Sequence, residues 1–119
     1  MRMFLLPIIA SLFAAEQPIE PSESAMRTAF ESRLTQDVQN ALAYVAETAG
    51  EEGVERVRAA GTDQFAVRGF KKQTCSPRDT GHVCDFDVEL TVVSGMIQQS
   101  LKGRFVAGPA GDLTFQHDI

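Results

Sequence analysis

Between residues 24 and 49, apolar side chains recur at steps of four and three: Phe30, Leu34, Val38, Ala41, Leu42 and Val45. Those steps fall on one stripe of a helix, and Arg27, Glu31, Gln39 and Glu47 fall mainly away from it. Ser22 or Ser24 can cap its start, with Glu20 and Glu23 near the positive end of the helix dipole. Gly50 and Gly53 end or interrupt the helix. A second, short helix is expected over Glu51 to Ala60, with Val54 and Val57 inward and Gly61 as its stop.

Beyond Gly61 the period changes from helical to alternating. Cys84, Phe86, Val88, Leu90 and Val92 alternate with Asp85, Asp87, Glu89 and Thr91, which reads as a half-buried antiparallel strand with its acidic side in water. Ile97, Leu101, Phe105 and Ala107 alternate less strictly with Gln98, Ser100, Lys102 and Arg104, and Ser94-Gly95 is the turn between the two strands. An earlier strand starts at Phe65 and Val67, but its inward parity slips to Phe70; Gly69 marks a bulge that would allow the slip. Gly108 to Gly111 is a turn, and Leu113 with Phe115 form a short last strand. Lys71 or Lys72 is expected to face Asp85 or Asp87, and Lys102 or Arg104 to face Asp87 or Glu89. A one-sided sheet and a one-sided helix each need a cover and can cover each other. The fold class is therefore α+β: a long N-terminal helix packed on a curved antiparallel sheet of about four strands.

The chain has 119 residues and a net charge of −5. One domain is the default at this length. An acidic surface repels phosphates and anionic lipid, so nucleic acid is not an expected partner. The first residues carry their own pattern. Arg2 precedes an apolar run from Met3 to Phe13, then Ala14 and Ala15, then polar Glu16. The run is too short for a stable bilayer span, and its order is that of a secretory peptide. The expected organisation is a signal peptide over residues 1–15 cut near Ala14, a mobile linker over 16–22 and one domain over 23–119. An uncleaved helix or a membrane tether is the alternative. Nothing after Ala15 reaches membrane-spanning length, and the expected location is the periplasm or outside the cell.

Export changes the reading of the two cysteines, Cys75 and Cys84. The intervening residues, Ser76, Pro77, Arg78, Asp79, Thr80, Gly81, His82 and Val83, are rich in turn formers. A hairpin with its arms joined by a Cys75–Cys84 disulfide fits an oxidising compartment. Closing so short a loop stabilises by roughly 2–3 kcal/mol on the chain-entropy model. The alternatives are a redox pair, which usually sits closer together at a helix start, a zinc site, for which only His82 is a local third ligand, and two unpaired thiols.

A helix followed by an antiparallel meander resembles the cystatin-like and NTF2-like group of folds. More locally, Phe70-Lys71-Lys72 with Cys75, His82-Val83-Cys84-Asp85-Phe86 and Gly103-Arg104-Phe105 are similar to a pattern in small exported bacterial proteins of unknown function. The resemblance implies fold, compartment and disulfide, and no activity.

The sequence assigns no catalytic residue, metal ligand or cofactor. His82 reads as a solvated histidine in the hairpin tip, and His117 as part of a frayed tail. Asp85, Asp87 and Glu89 share one strand face and read as a solvated row. The expected function is binding without catalysis, through an unidentified protein partner. Ser76 to His82 is the first candidate surface, because contacts concentrate on loops held by rigid scaffolds. Two alternatives stand beside it: a ligand-binding or enzymatic cone of the NTF2-like kind, and an assembly role through strand addition at a sheet edge.

Overall fold

The computed structural model describes residues 19–117; the signal peptide expected over residues 1–15 lies outside them. Helix α1 spans Glu23–Ala60 and is followed by four strands: β1 (Phe65–Arg78), β2 (Gly81–Val92), β3 (Gly95–Ala107) and β4 (Leu113–Gln116). They form one antiparallel sheet in the order β1-β2-β3-β4. This is the α+β architecture of one long helix on an open four-stranded meander.

Ser22 caps α1, its hydroxyl accepting from the Ala25 N–H at 3.1 Å. At Gly50 the backbone leaves the helical region, with φ 68° and ψ −168°, so α1 is two helical segments joined at a break. A positive φ favours glycine because it has no Cβ to clash. Beyond the break, Gly53 sits so near the first segment that a Cβ there would come within 2.5 Å of the Ala49 Cβ and 3.1 Å of the Val45 Cγ1. Gly61, at φ 74°, ends the second segment and donates its N–H to the Arg58 carbonyl. Both roles expected of the glycines are met.

The core lies under the first turns of α1. Met26, Ala29 and Phe30 are buried against Val67, Cys84, Phe86, Val88, Phe105 and Phe115. Phe30 is central: its ring centroid lies 5.9 Å from that of Phe70 and 5.4 Å from those of Phe86 and Phe115. Aromatic pairs at such spacings and tilts add to simple burial. The expected stripe is only partly used. Leu34, Val38, Leu42 and Val45 are half-buried, and Ala41 is exposed. Met26, one turn before the expected stripe, and Ala29 are buried with Phe30, because the sheet sits beneath the start of the helix.

Two register shifts shape β1. One falls between Val67 and Gly69, as the parity slip predicted. The other falls between Lys72 and Cys75 and was not foreseen. Gln73 and Thr74 absorb the extra length, which returns Cys75 to the inner face opposite Cys84. It also means that Lys72, paired with Phe86, belongs to the inner face. Lys72 therefore does not reach Asp85 or Asp87. Its ammonium binds the Glu20 carboxylate and the Pro21 carbonyl at 2.7 Å. Pro21 is buried, so these residues of the expected mobile linker are held against the sheet.

Candidate functional site

The hairpin singled out in the sequence is closed by the Cys75–Cys84 disulfide, with a Cα–Cα distance of 4.0 Å. Cys84 is fully buried and Cys75 packs against the core. The candidate loop, however, is shorter than expected. Ser76, Pro77 and Arg78 continue β1, pairing with Val83, His82 and Gly81. Only Asp79 and Thr80 form the turn. Asp79 takes φ 53°, a left-handed conformation that aspartate tolerates, and its carboxylate accepts from Arg104 at 3.0 Å. Arg104 thus meets Asp79, not Asp87 or Glu89.

His82 corrects a second expectation. It is 4% exposed, on the inner face of β2 opposite Phe105. The alternation of Cys84, Phe86 and Val88 extends back through His82, and burial follows from it. His117 is exposed, its ring centroid 4.8 Å from that of Phe115.

The carboxylates of β2 line the outer sheet face as the alternation predicted. Each is engaged by neighbouring strands. Asp87 accepts from Gln73 at 2.9 Å and from Ser100 at 2.7 Å. Asp85 accepts from Thr74 at 3.2 Å, with Lys102 at 3.8 Å, and Glu89 accepts from Gln98 at 2.7 Å. An open trough of about 380 Å³ crosses this face between Lys71, Asp87, Glu89, Gln98 and Ser100. On the inner side, a cleft of about 300 Å³ lies between Leu34, Val38 and Ala41 of the helix and Phe65, Leu90 and Val92 of the sheet.

The largest departure from an ordinary closed surface lies along β3. Its register with β2 is unbroken from Gly95 to Val106. Strand β4 pairs only with Arg104 to Ala107. Among the described residues, no strand therefore pairs with the other side of Gly95 to Gly103. The direction of its backbone groups can be read from Val106, whose carbonyl accepts from Thr114 on the β4 side at 3.2 Å. Alternate residues of a strand point the same way, so the N–H and C=O of Met96, Gln98, Ser100 and Lys102 face the open side. Met96 is 60% exposed, Ile97 38% and the adjacent Val93 61%. Sequence reasoning raised strand addition at a sheet edge without saying which edge, although a thirteen-residue strand followed by a four-residue one was the signal for it.

No family model, curated protein or solved structure matches the chain. No described helix is long and apolar enough to cross a membrane.

Proposed function

We propose that the chain is exported to the periplasm or beyond the cell and acts there as a non-enzymatic binding protein. Its contact surface is the open edge of β3, which takes an extended polypeptide segment as a further strand. One observation carries the reading: the main-chain groups of Met96, Gln98, Ser100 and Lys102 face a side with which no described strand pairs, beside exposed apolar side chains. Main-chain hydrogen bonds supply affinity in such recognition, and alternate side chains supply specificity. The Cys75–Cys84 bond and the Arg2-to-Ala15 segment favour export. The helix-then-meander order keeps the cystatin-like and NTF2-like resemblance as part of this proposal. The carboxylates of β2 are held by neighbouring side chains, which favours binding over acid–base work.

The inner cleft favours a second reading, a small apolar ligand seated between Leu34, Val38, Phe65, Leu90 and Val92.

The test is made on the full chain expressed in a bacterium. A photo-activatable cross-linker replaces Gln98, whose backbone N–H and C=O face the open side. The expected result is a cross-linked product in the envelope or medium, on a chain that begins within about two residues of Ala15. Ser100→Pro, which removes an outward N–H, abolishes the product. A chain that keeps residues 1–15 in the cytosol overturns export. A product insensitive to Ser100→Pro overturns strand addition, and a bound apolar molecule displaced by Val38→Trp supports the cleft instead.

A further inference from the structure

Resting on the reading of β3 as a strand-accepting edge, we infer that its occupant is the same edge of a second copy of this chain. The open stretch reads Gly95-Met96-Ile97-Gln98-Gln99-Ser100-Leu101-Lys102-Gly103. Its physical character is palindromic about Gln99 except at Met96 and Lys102. Glycine stands at both ends, Ile97 mirrors Leu101, and Gln98 mirrors Ser100. In a two-fold antiparallel contact residue i meets residue j in both directions, so this arrangement sets like against like.

Backbone direction restricts the register. Only even-numbered residues present outward N–H and C=O groups, so even must pair with even. A two-fold axis at Gln99 pairs Gln98 with Ser100 of the second copy and Met96 with its Lys102, all outward-facing. On the inner face it pairs Ile97 with Leu101. Moving the axis to Ser100 would set Met96 against Arg104, which β4 already occupies, and Ile97 against Gly103. Moving it to Gln98 would set Ile97 against Gln99. The Gln99 axis alone uses the whole open stretch and matches apolar with apolar.

Charge and edge chemistry agree. Lys102 is the one charged residue between Gly95 and Gly103, and it meets Met96 across the axis, so no like charges oppose each other. Sheet edges that avoid pairing carry proline, bulges or charges, lysine especially, and here the single lysine, Lys102, lies at the end of the open stretch. This stretch has no proline, and its register is unbroken. The paired molecules would form one continuous eight-stranded sheet with Ile97 and Leu101 of both copies beside Leu90 and Phe86.

The test uses the oxidised protein in sedimentation and in hydrogen exchange at several concentrations. The expected result is twice the monomer mass at tens of micromolar, with protection at Met96, Gln98, Ser100 and Lys102 that rises with concentration. Ser100→Pro is expected to return the mass to monomer with the Cys75–Cys84 bond intact. Because proline also constrains the strand itself, Gln99→Cys is the second probe. At a two-fold axis its Cα atoms lie about 4.5 Å apart as a non-hydrogen-bonded pair, so it forms a reducible covalent dimer and Gln98→Cys does not. A monomer with freely exchanging edge amides overturns self-pairing while leaving the edge available to another strand. A monomer with protected edge amides overturns self-pairing and the strand-addition reading together. A dimer cross-linked equally through Gln98→Cys overturns the register.

Discussion

The two long margins of the sheet, β1 and β3, come from one hairpin meander yet are finished in opposite ways. Along β1, the Glu23 carboxylate accepts from the Lys72 N–H at 2.8 Å, and Arg27 donates to the Val67 carbonyl at 2.6 Å. Lys72 turns inward to Glu20 and Pro21, two register shifts interrupt the strand, and Pro77 removes a donor. Along β3, none of these devices occurs between Gly95 and Gly103. The difference teaches where this molecule is closed by its own chain: the start of α1 serves as the lid of one margin, and among the described residues no segment covers the other.

The strongest way to break the comparison is to loosen the helix. Phe30→Ala removes the ring that touches Phe70, Phe86 and Phe115, and a loss of about 3–5 kcal/mol is expected. Chemical denaturation measures it, and exchange at Val67 to Lys72 should rise together with it. A loss below about 1 kcal/mol would mean that α1 is not what holds β1 closed.

A smaller effect is expected at the other margin. A Cβ on Gly103 would lie 2.0 Å from the Phe115 Cε1, so Gly103→Ala forces that ring, and β4 with it, to move. Overpacking of this kind costs about 1–3 kcal/mol. Thermal unfolding gives the size, and faster exchange from Arg104 to Ala107 would show the open part of β3 lengthening.

Glu23→Ala sharpens the comparison without touching the core. It removes the acceptor for the Lys72 N–H and should cost about 1 kcal/mol. The more telling readout is association: a β1 margin stripped of its cover should raise the light scattering of concentrated samples. No change in scattering would separate edge protection from Glu23.

The smallest effect belongs to Glu20. Its hydrogen bond to Lys72, together with that ammonium's charge, holds its carboxyl below the usual value of 4.5. The folded form therefore favours the ionised acid. The contribution to stability is present in full above the unfolded carboxylate value and is lost as pH falls through the lower folded value. Denaturation midpoints of wild type and Glu20→Gln should converge on acidification and differ slightly at neutral pH. A gap that widens in acid would reverse the sign.

How much of this was legible varies with the range of the interactions. Strict alternation from Cys84 to Val92 gave β2 and its two faces, because one strand buried on one side writes its pattern into consecutive residues. Gly69 announced its register shift through a change of parity. The shift at Gln73 and Thr74 had no such mark, since polar residues suit either face, and with it went the orientation of Lys72. Turn formers from Pro77 to Gly81 suggested a broad loop where strand pairing runs on to a two-residue turn, which hid the burial of His82. The contacts of Glu23 and Arg27 with β1 span about forty to fifty residues, beyond any local pattern. The open side of β3 was inferable only by comparing strand lengths.

The sulfur bridge has a practical corollary. Cys75 and Cys84 flank the Asp79–Thr80 turn, so a peptide bond cut there would leave both fragments covalently joined. The molecule can thus be opened at that bend, or given new termini or an inserted reporter, and the pieces released at will by a thiol.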